Sequence, residues 1–233
     1  MKKYEFTGET KIVVGVTLKR IRALISFGFV VKGEIGGFIE DEKNLSHDGN
    51  AWVAGNAWVA GNARVADNAC VAGNARVTGN ARVADNACVA GNARVTGNAR
   101  VAGNAWVTGN ARVAGNARVT GNARVTDNAR VAGNARVAGN ARVAGNARVA
   151  DNARVTNTTD YMLIGSIGSR NDFTTFYKDI DGGISVKCGC FSGTIEEFRE
   201  KVEETHGTNT KHAKIYKVAA DLAEMQILDQ EAE

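Results

Sequence analysis

From Asn50 to Asn157 a buried-type residue, always Val, recurs every sixth position, with Ala two residues before it and Asn three before it. Eighteen consecutive hexads read Asn-Ala-x-Val-(Ala/Thr)-(Gly/Asp), and only the last, closing on Asn157, departs at its final position. Within a hexad, Ala-x-Val-(Ala/Thr) alternates small-in, variable-out, Val-in, small-out, which is the period of a strand. The pair that follows, Gly-Asn or Asp-Asn, turns the chain at low cost because Gly and Asn tolerate positive φ. Three such strands and corners close a triangular coil of 18 residues. The pattern therefore predicts a parallel β-helix of six coils, about 29 Å long at roughly 4.8 Å per stacked strand, with Asn side chains aligned as ladders.

The flanks read differently. In residues 1–49, Lys2 to Phe6, Lys11 to Val14 and Thr17 to Ile25 read as short strands, and a solenoid needs such a cap because its first coil is otherwise an open edge. After the prism, Tyr161 to Ile167, Phe173 to Lys178 and Ile184 to Lys187 alternate as strands, with Asp181-Gly182-Gly183 as a hairpin turn. Thr194-Ile195-Glu196-Glu197 is a capping box opening a helix that Gly207 ends. A second helix, Lys211 to Leu228, is expected to bury Ile215, Val218, Leu222, Met225 and Ile227. The fold class is thus mainly β: an N-terminal β cap (1–49), a β-helix (50–157) and a small C-terminal α+β domain (158–233).

The repeat Ala63-Arg64-Val65-Ala66 and its copies resemble the left-handed β-helix, or hexapeptide-repeat, proteins. That resemblance, not the period, implies left-handed winding and side-by-side homotrimers. Gly36-Gly37-Phe38-Ile39-Glu40, Asn44-Leu45-Ser46 and Gly49-Asn50-Ala51-Trp52-Val53 are similar to the N-terminal region of bacterial and phage hexapeptide proteins that carry transferase labels. The stretch Gly168 to Tyr177, with Cys188-Gly189-Cys190-Phe191, resembles a domain at the end of phage and prophage proteins.

Charge and chemistry sharpen this outline. The repeat holds thirteen Arg, no Lys and four Asp, so the net charge of +4 conceals a basic rod between acidic ends. The start of the chain lacks a secretory apolar stretch, and four Cys without a disulfide framework fit a reducing compartment; a cytoplasmic protein that neither spans nor binds a membrane is expected. Stacking the x position every 18 residues gives one column of Trp52, Cys70, Cys88, Trp106, Arg124 and Arg142, while the other two are Arg apart from Trp58. An exposed Trp52-Cys70-Cys88-Trp106 stripe is expected to be an oligomer interface. The two Cys would lie within disulfide reach, although packed thiols are the expectation in a reducing compartment. The Arg columns suit oxyanions or simply a solvated face; duplex nucleic acid is disfavoured because a straight rod offers no groove-reading element.

Enzymatic readings are weak. Hexapeptide acyltransferases use a His base near a subunit boundary, whereas His47, His206 and His212 all lie outside this repeat. Cys188 and Cys190 lack metal-type spacing and read as packing thiols. Gly165 to Arg170 lacks the spacing of a P-loop. No catalytic residue and no cofactor is assigned. The expectation is a binding or scaffold protein holding an anionic, phosphate-bearing small molecule such as a nucleotide, with acyltransferase and structural phage component as the alternatives. Ser169, Arg170, Asn171, Asp172, Thr174 and Lys187 are the contact candidates: the cations for phosphate, Ser169 and Thr174 as donors, Asn171 or Asp172 for a base or ribose.

Overall fold

The computed structural model describes residues 1–228 of the 233. Each hexad contributes one short x-Val strand, from β4 (Trp52–Val53) to β21 (Arg154–Val155), after β1 (Tyr4–Val13), β2 (Val16–Ala23) and β3 (Ile35–Ile39). The eighteen short strands stack in parallel register as three six-stranded walls, each strand pairing with the one three hexads on. A register such as Arg94↔Arg76 and Val95↔Val77 repeats along every wall. The walls are shorter than the four-residue strands read from the sequence, because Ala and the fourth residue already belong to the corners.

What holds the prism is the same in every coil. The Ala and Val of each hexad point inward and are fully buried, from Ala75 and Val77 to Ala147 and Val149, whereas Arg at x stays outside. Each buried Val is worth on the order of 1.5 kcal/mol, the low end for a large aliphatic residue. Backbone amides bond to the next coil: Arg76 N–H to Ala93 O at 2.9 Å, Thr78 N–H to Val95 O at 2.9 Å and Asn80 N–H to Gly97 O at 2.8 Å. Asn side chains run as ladders along the corners, as in Asn68 to Asn86 and Asn86 to Asn104, both at 3.1 Å. It is the Gly or Asp of the corner, not the Asn, that takes positive φ.

That corner explains the four Asp residues. At φ of 55–59° they pay a strain that Gly avoids. In return the Asp85 carboxylate accepts the Gly103 amide at 2.9 Å and the Asp127 carboxylate accepts that of Gly145 at 3.1 Å. These are corner amides of the following coil, a charge-assisted bond Gly cannot supply.

The N-terminal segment does more than cover an edge. β1 and β2 form one antiparallel hairpin about Val14-Gly15, so the two strands expected at its start are a single bulged one. β3 then pairs in parallel with the second wall (Phe38↔Trp58), and Leu45 bridges Val65 on the third. Together they add a further turn, so the solenoid has about seven rather than six. Its open carbonyls are met by side chains: buried Lys3 donates to Ala51 O at 2.8 Å, and Asn44 to Ala63 O at 2.8 Å.

At the other end, β22 (Tyr161–Ile167), β23 (Asp172–Lys178), β24 (Ile184–Cys188) and β25 (Phe191–Thr194) form an antiparallel sheet. β25 had no reading in the sequence, its Phe191-Ser192-Gly193-Thr194 showing no alternation. One face of the sheet seats on the prism. Tyr177 joins the prism core, the Thr175 hydroxyl accepts Arg148 N–H at 3.0 Å, and Ser192 bonds Asp151 at 2.7 Å. The other face carries α1 (Ile195–His206) and α2 (Lys211–Leu228). The capping box is present, with Thr194 Oγ1 accepting Glu197 N–H at 3.2 Å, and Gly207 ends α1 at φ 71°.

α2 corrects the sequence reading. Its inner face is Ala213, Tyr216, Ala219, Ala220, Ala223 and Ile227, while Val218, Leu222 and Met225 are 65%, 50% and 64% exposed and Ile215 is half-buried. Alanines let the helix lie close to the sheet and α1, and the larger aliphatic residues are left outside.

Candidate functional site

The C-terminal domain forms an open cavity of about 500 Å³ where the β22–β23 turn, the β24–β25 turn and both helices meet. Phe191, Phe198, Val202 and Tyr216 form its apolar wall; Ser169, Arg170, Lys201 and His206 bring polar groups to it. Two glycines shape it. Gly168 (φ 68°) lies so close to Tyr216 that a Cβ there would sit 1.9 Å from the phenol oxygen. Gly189 (φ 61°) lets the Arg170 guanidinium lie across the β24–β25 turn, where a Cβ would come within 2.8 Å of Nε.

The polar groups are mutually ordered. Ser169 Oγ lies 3.4 Å from His206 Nε2, and the imidazole stacks on the Tyr216 ring at 5.8 Å and 24°. Phe198 meets Tyr216 edge-on at 5.6 Å and Phe191 at 5.5 Å, which fixes the wall. Burial, and then neighbouring Cys188, push the Tyr216 phenol above its ordinary range, so it stays a donor. Lys201 pairs with Glu204 at 2.7 Å on the surface, a contact a bound anion can displace at small cost. Arg170 has no carboxylate within ion-pair distance among the described residues.

The six expected contact residues do not share one cradle. Ser169 and Arg170 border the cavity. Asn171 holds the β22–β23 turn in the left-handed region at φ 49°. Asp172 bonds its neighbour Phe173 N–H at 2.8 Å and borders a separate groove with Arg130 and Arg148 of the prism. Thr174 is fully buried and donates to the Cys188 sulfur at 3.2 Å. Lys187 pairs in register with Thr175, so it lies on the prism side of the sheet, away from Thr174 and Cys188. Alternation along β23 and β24 separates it from Arg170. Lys201, His206, Tyr216 and the two Phe, unassigned from sequence, take its place. Their signal was the spacing Phe198, Val202, His206, one face of α1.

The prism stripe is also broken. Trp52 is 4% exposed, edge-on to Phe27 of its own chain at 5.5 Å, whereas Trp106 is 50% exposed beneath the Arg124 guanidinium. Cys70 and Cys88 are half-buried free thiols. His47 accepts the Lys3 amide through Nδ1 at 3.3 Å and stacks on Tyr4; burial holds it below its ordinary pKa. No helix among the described residues is long and apolar enough to cross a membrane. Compared with known proteins, the chain matches no family model and no curated protein.

Proposed function

We propose that this chain is a non-enzymatic binding protein whose C-terminal cavity holds an anionic ligand with a ring, of the nucleotide class, on a rigid β-helical scaffold. The observation that carries the reading is the pairing of an aromatic wall (Phe191, Phe198, Tyr216) with Arg170, Lys201, Ser169 and His206 around one 500 Å³ space. A base or other ring packs on the wall, while Arg170 and Lys201 meet phosphate, Arg with its two-pronged fork. Ser169 and His206 are close enough to act together as donors or acceptors to the same ligand.

The catalytic alternative lacks support at its base. His47 already spends Nδ1 on a backbone amide, so it serves the cap. Self-association belongs to the same proposal, and its support is the outward apolar edge of α2 at Val218, Leu222 and Met225. A phage or prophage origin rests on the resemblance of Gly168 to Tyr177 with Cys188-Gly189-Cys190-Phe191, and on that of the N-terminal stretches from Gly36 to Val53.

The test is calorimetric titration with mononucleotides, cyclic dinucleotides and inorganic phosphate. A nucleotide should bind, phosphate alone should bind far more weakly, and Arg170→Ala should weaken binding about 10- to 100-fold, one charged hydrogen-bonding partner being worth about 1.5–3 kcal/mol. Affinity unchanged from that of the unmodified protein in both Arg170→Ala and Lys201→Ala removes the cavity as the site.

A further inference from the structure

Cys70 and Cys88 occupy the same outward position in consecutive coils, paired in parallel register as Cys88↔Cys70 and Val89↔Val71. The residues around them are identical: Asp67 to Ala84 repeats without change as Asp85 to Ala102. Identical backbones one coil apart point their Cβ atoms in the same direction, so the two Cβ atoms stand about as far apart as the strands, ~4.8 Å. A disulfide needs about 3.5–4.5 Å there.

The spacing is stiff. Cys70 N–H bonds Ala87 O and Cys88 N–H bonds Ala105 O, both at 2.9 Å. The Asn68-Asn86-Asn104 ladder ties the adjoining corners, and Val71 and Val89 are fully buried beneath. Two thiols are therefore held close but discouraged from joining. A metal–thiolate bond of about 2.3 Å lets one ion bridge sulfurs up to about 4.6 Å apart, close to this spacing.

We propose that Cys70 and Cys88 form a two-sulfur clamp for a soft monovalent cation of the copper(I) class. Softness follows from the donors: both are sulfur, and no cluster of three or more His, Cys, Asp or Glu placed to hold a metal exists among the described residues. The nearest carboxylates are engaged, Asp67 accepting the Asp85 amide and Asp85 that of Gly103. Low coordination follows from the neighbours in the wall. Trp52 precedes Cys70 and Trp106 follows Cys88 in register, so neither adjoining outward position of the column supplies a further ligand.

Binding donates a lone pair from each sulfur to the ion, releases the two thiol protons to water and transfers no electron. The product carries one negative charge among the Arg columns of the rod.

Silver(I), which needs no reductant, is the probe. Full-length reduced protein carrying Cys188→Ser and Cys190→Ser should retain one silver ion per chain by native mass spectrometry, with a change in Trp emission. Adding Cys70→Ser or Cys88→Ser should weaken retention at least 100-fold, with an unchanged circular dichroism spectrum. Retention unaffected by Cys70→Ser, or silver lost with Cys188 and Cys190, overturns the clamp. So does ready closure of a Cys70–Cys88 disulfide under diamide, which would show that the spacing does not hold the sulfurs apart.

Discussion

The prism and the C-terminal domain are built by opposite rules. In the prism a residue's role is its place in the hexad: Ala and Val inside, x outside, Gly or Asp at the bend, whichever coil it occupies. In the terminal domain nothing repeats, and single residues decide the geometry. Gly168 admits Tyr216, Thr175 seats the sheet on the prism, and Ala213, Ala220 and Ala223 set how α2 lies. A repeat supplies stiffness and spacing cheaply, whereas a cavity for a particular ligand requires departures from repetition. The proposed function follows that contrast, with the ligand site in the terminal domain and the prism as scaffold.

The strongest test of the rule is a charge placed in the inward phase. Val113→Asp puts a carboxylate at a fully buried position with no cation inside the prism, and should cost more than about 4 kcal/mol and abolish cooperative unfolding. Arg112→Asp, one residue away, faces water and should change stability by less than about 0.5 kcal/mol in chemical denaturation. Comparable losses at the two positions would break the phase rule.

Next in size is Gly168→Ala. Its Cβ would overlap the Tyr216 ring at a backbone φ of 68°, so a loss of about 2–4 kcal/mol is expected, confined to the terminal domain. Hydrogen exchange should show α2 exposed while the Val amides of the prism stay protected.

A smaller effect separates the cap from the coils. Burial lowers the Lys3 ammonium from 10.5 to about 8, with Asp48 opposing. Its folded pKa lies below the unfolded one, so between about pH 8 and 10.5 the unfolded chain holds more protons. The stability contributed by this residue therefore rises with pH through that window, and the cost of its charge is full below pH 8. Relative to Lys3→Met, the native chain should gain up to about 1–2 kcal/mol from pH 7.5 to 9.5 in urea titrations. Carbonyl bonds to the ammonium reduce the gain. A constant difference would mean that Lys3 is charged and fully compensated.

Smallest is Asp85→Gly, which removes strain together with the carboxylate bond to Gly103. The two effects oppose, and a net change within about 1 kcal/mol is expected in thermal denaturation.

The difference between the regions also governs what the sequence discloses. The prism was legible almost residue by residue because an 18-fold pattern averages away local ambiguity. The turn Ser169-Arg170 was legible as a cation among small residues, and Thr194 and Gly207 as helix ends. Lys187 was misplaced because its face depends on the register of β23 against β24, which no local pattern encodes. α2 misled for a physical reason: Ile215, Val218, Leu222 and Met225 make the larger apolar stripe, yet close packing selected the alanines. Trp52 looked exposed because its phase is outward, and only the fold of the N-terminal cap brings Phe27 onto it.

The most direct test of the central claim is isothermal titration of the full-length protein with a panel of nucleotides, repeated on Arg170→Ala and on Arg112→Ala. Binding of a nucleotide that falls about 10- to 100-fold in Arg170→Ala and is unchanged in Arg112→Ala is the predicted result. Binding that is insensitive to Arg170 but weakened by Arg112→Ala would contradict it and move the ligand to the Arg columns of the prism.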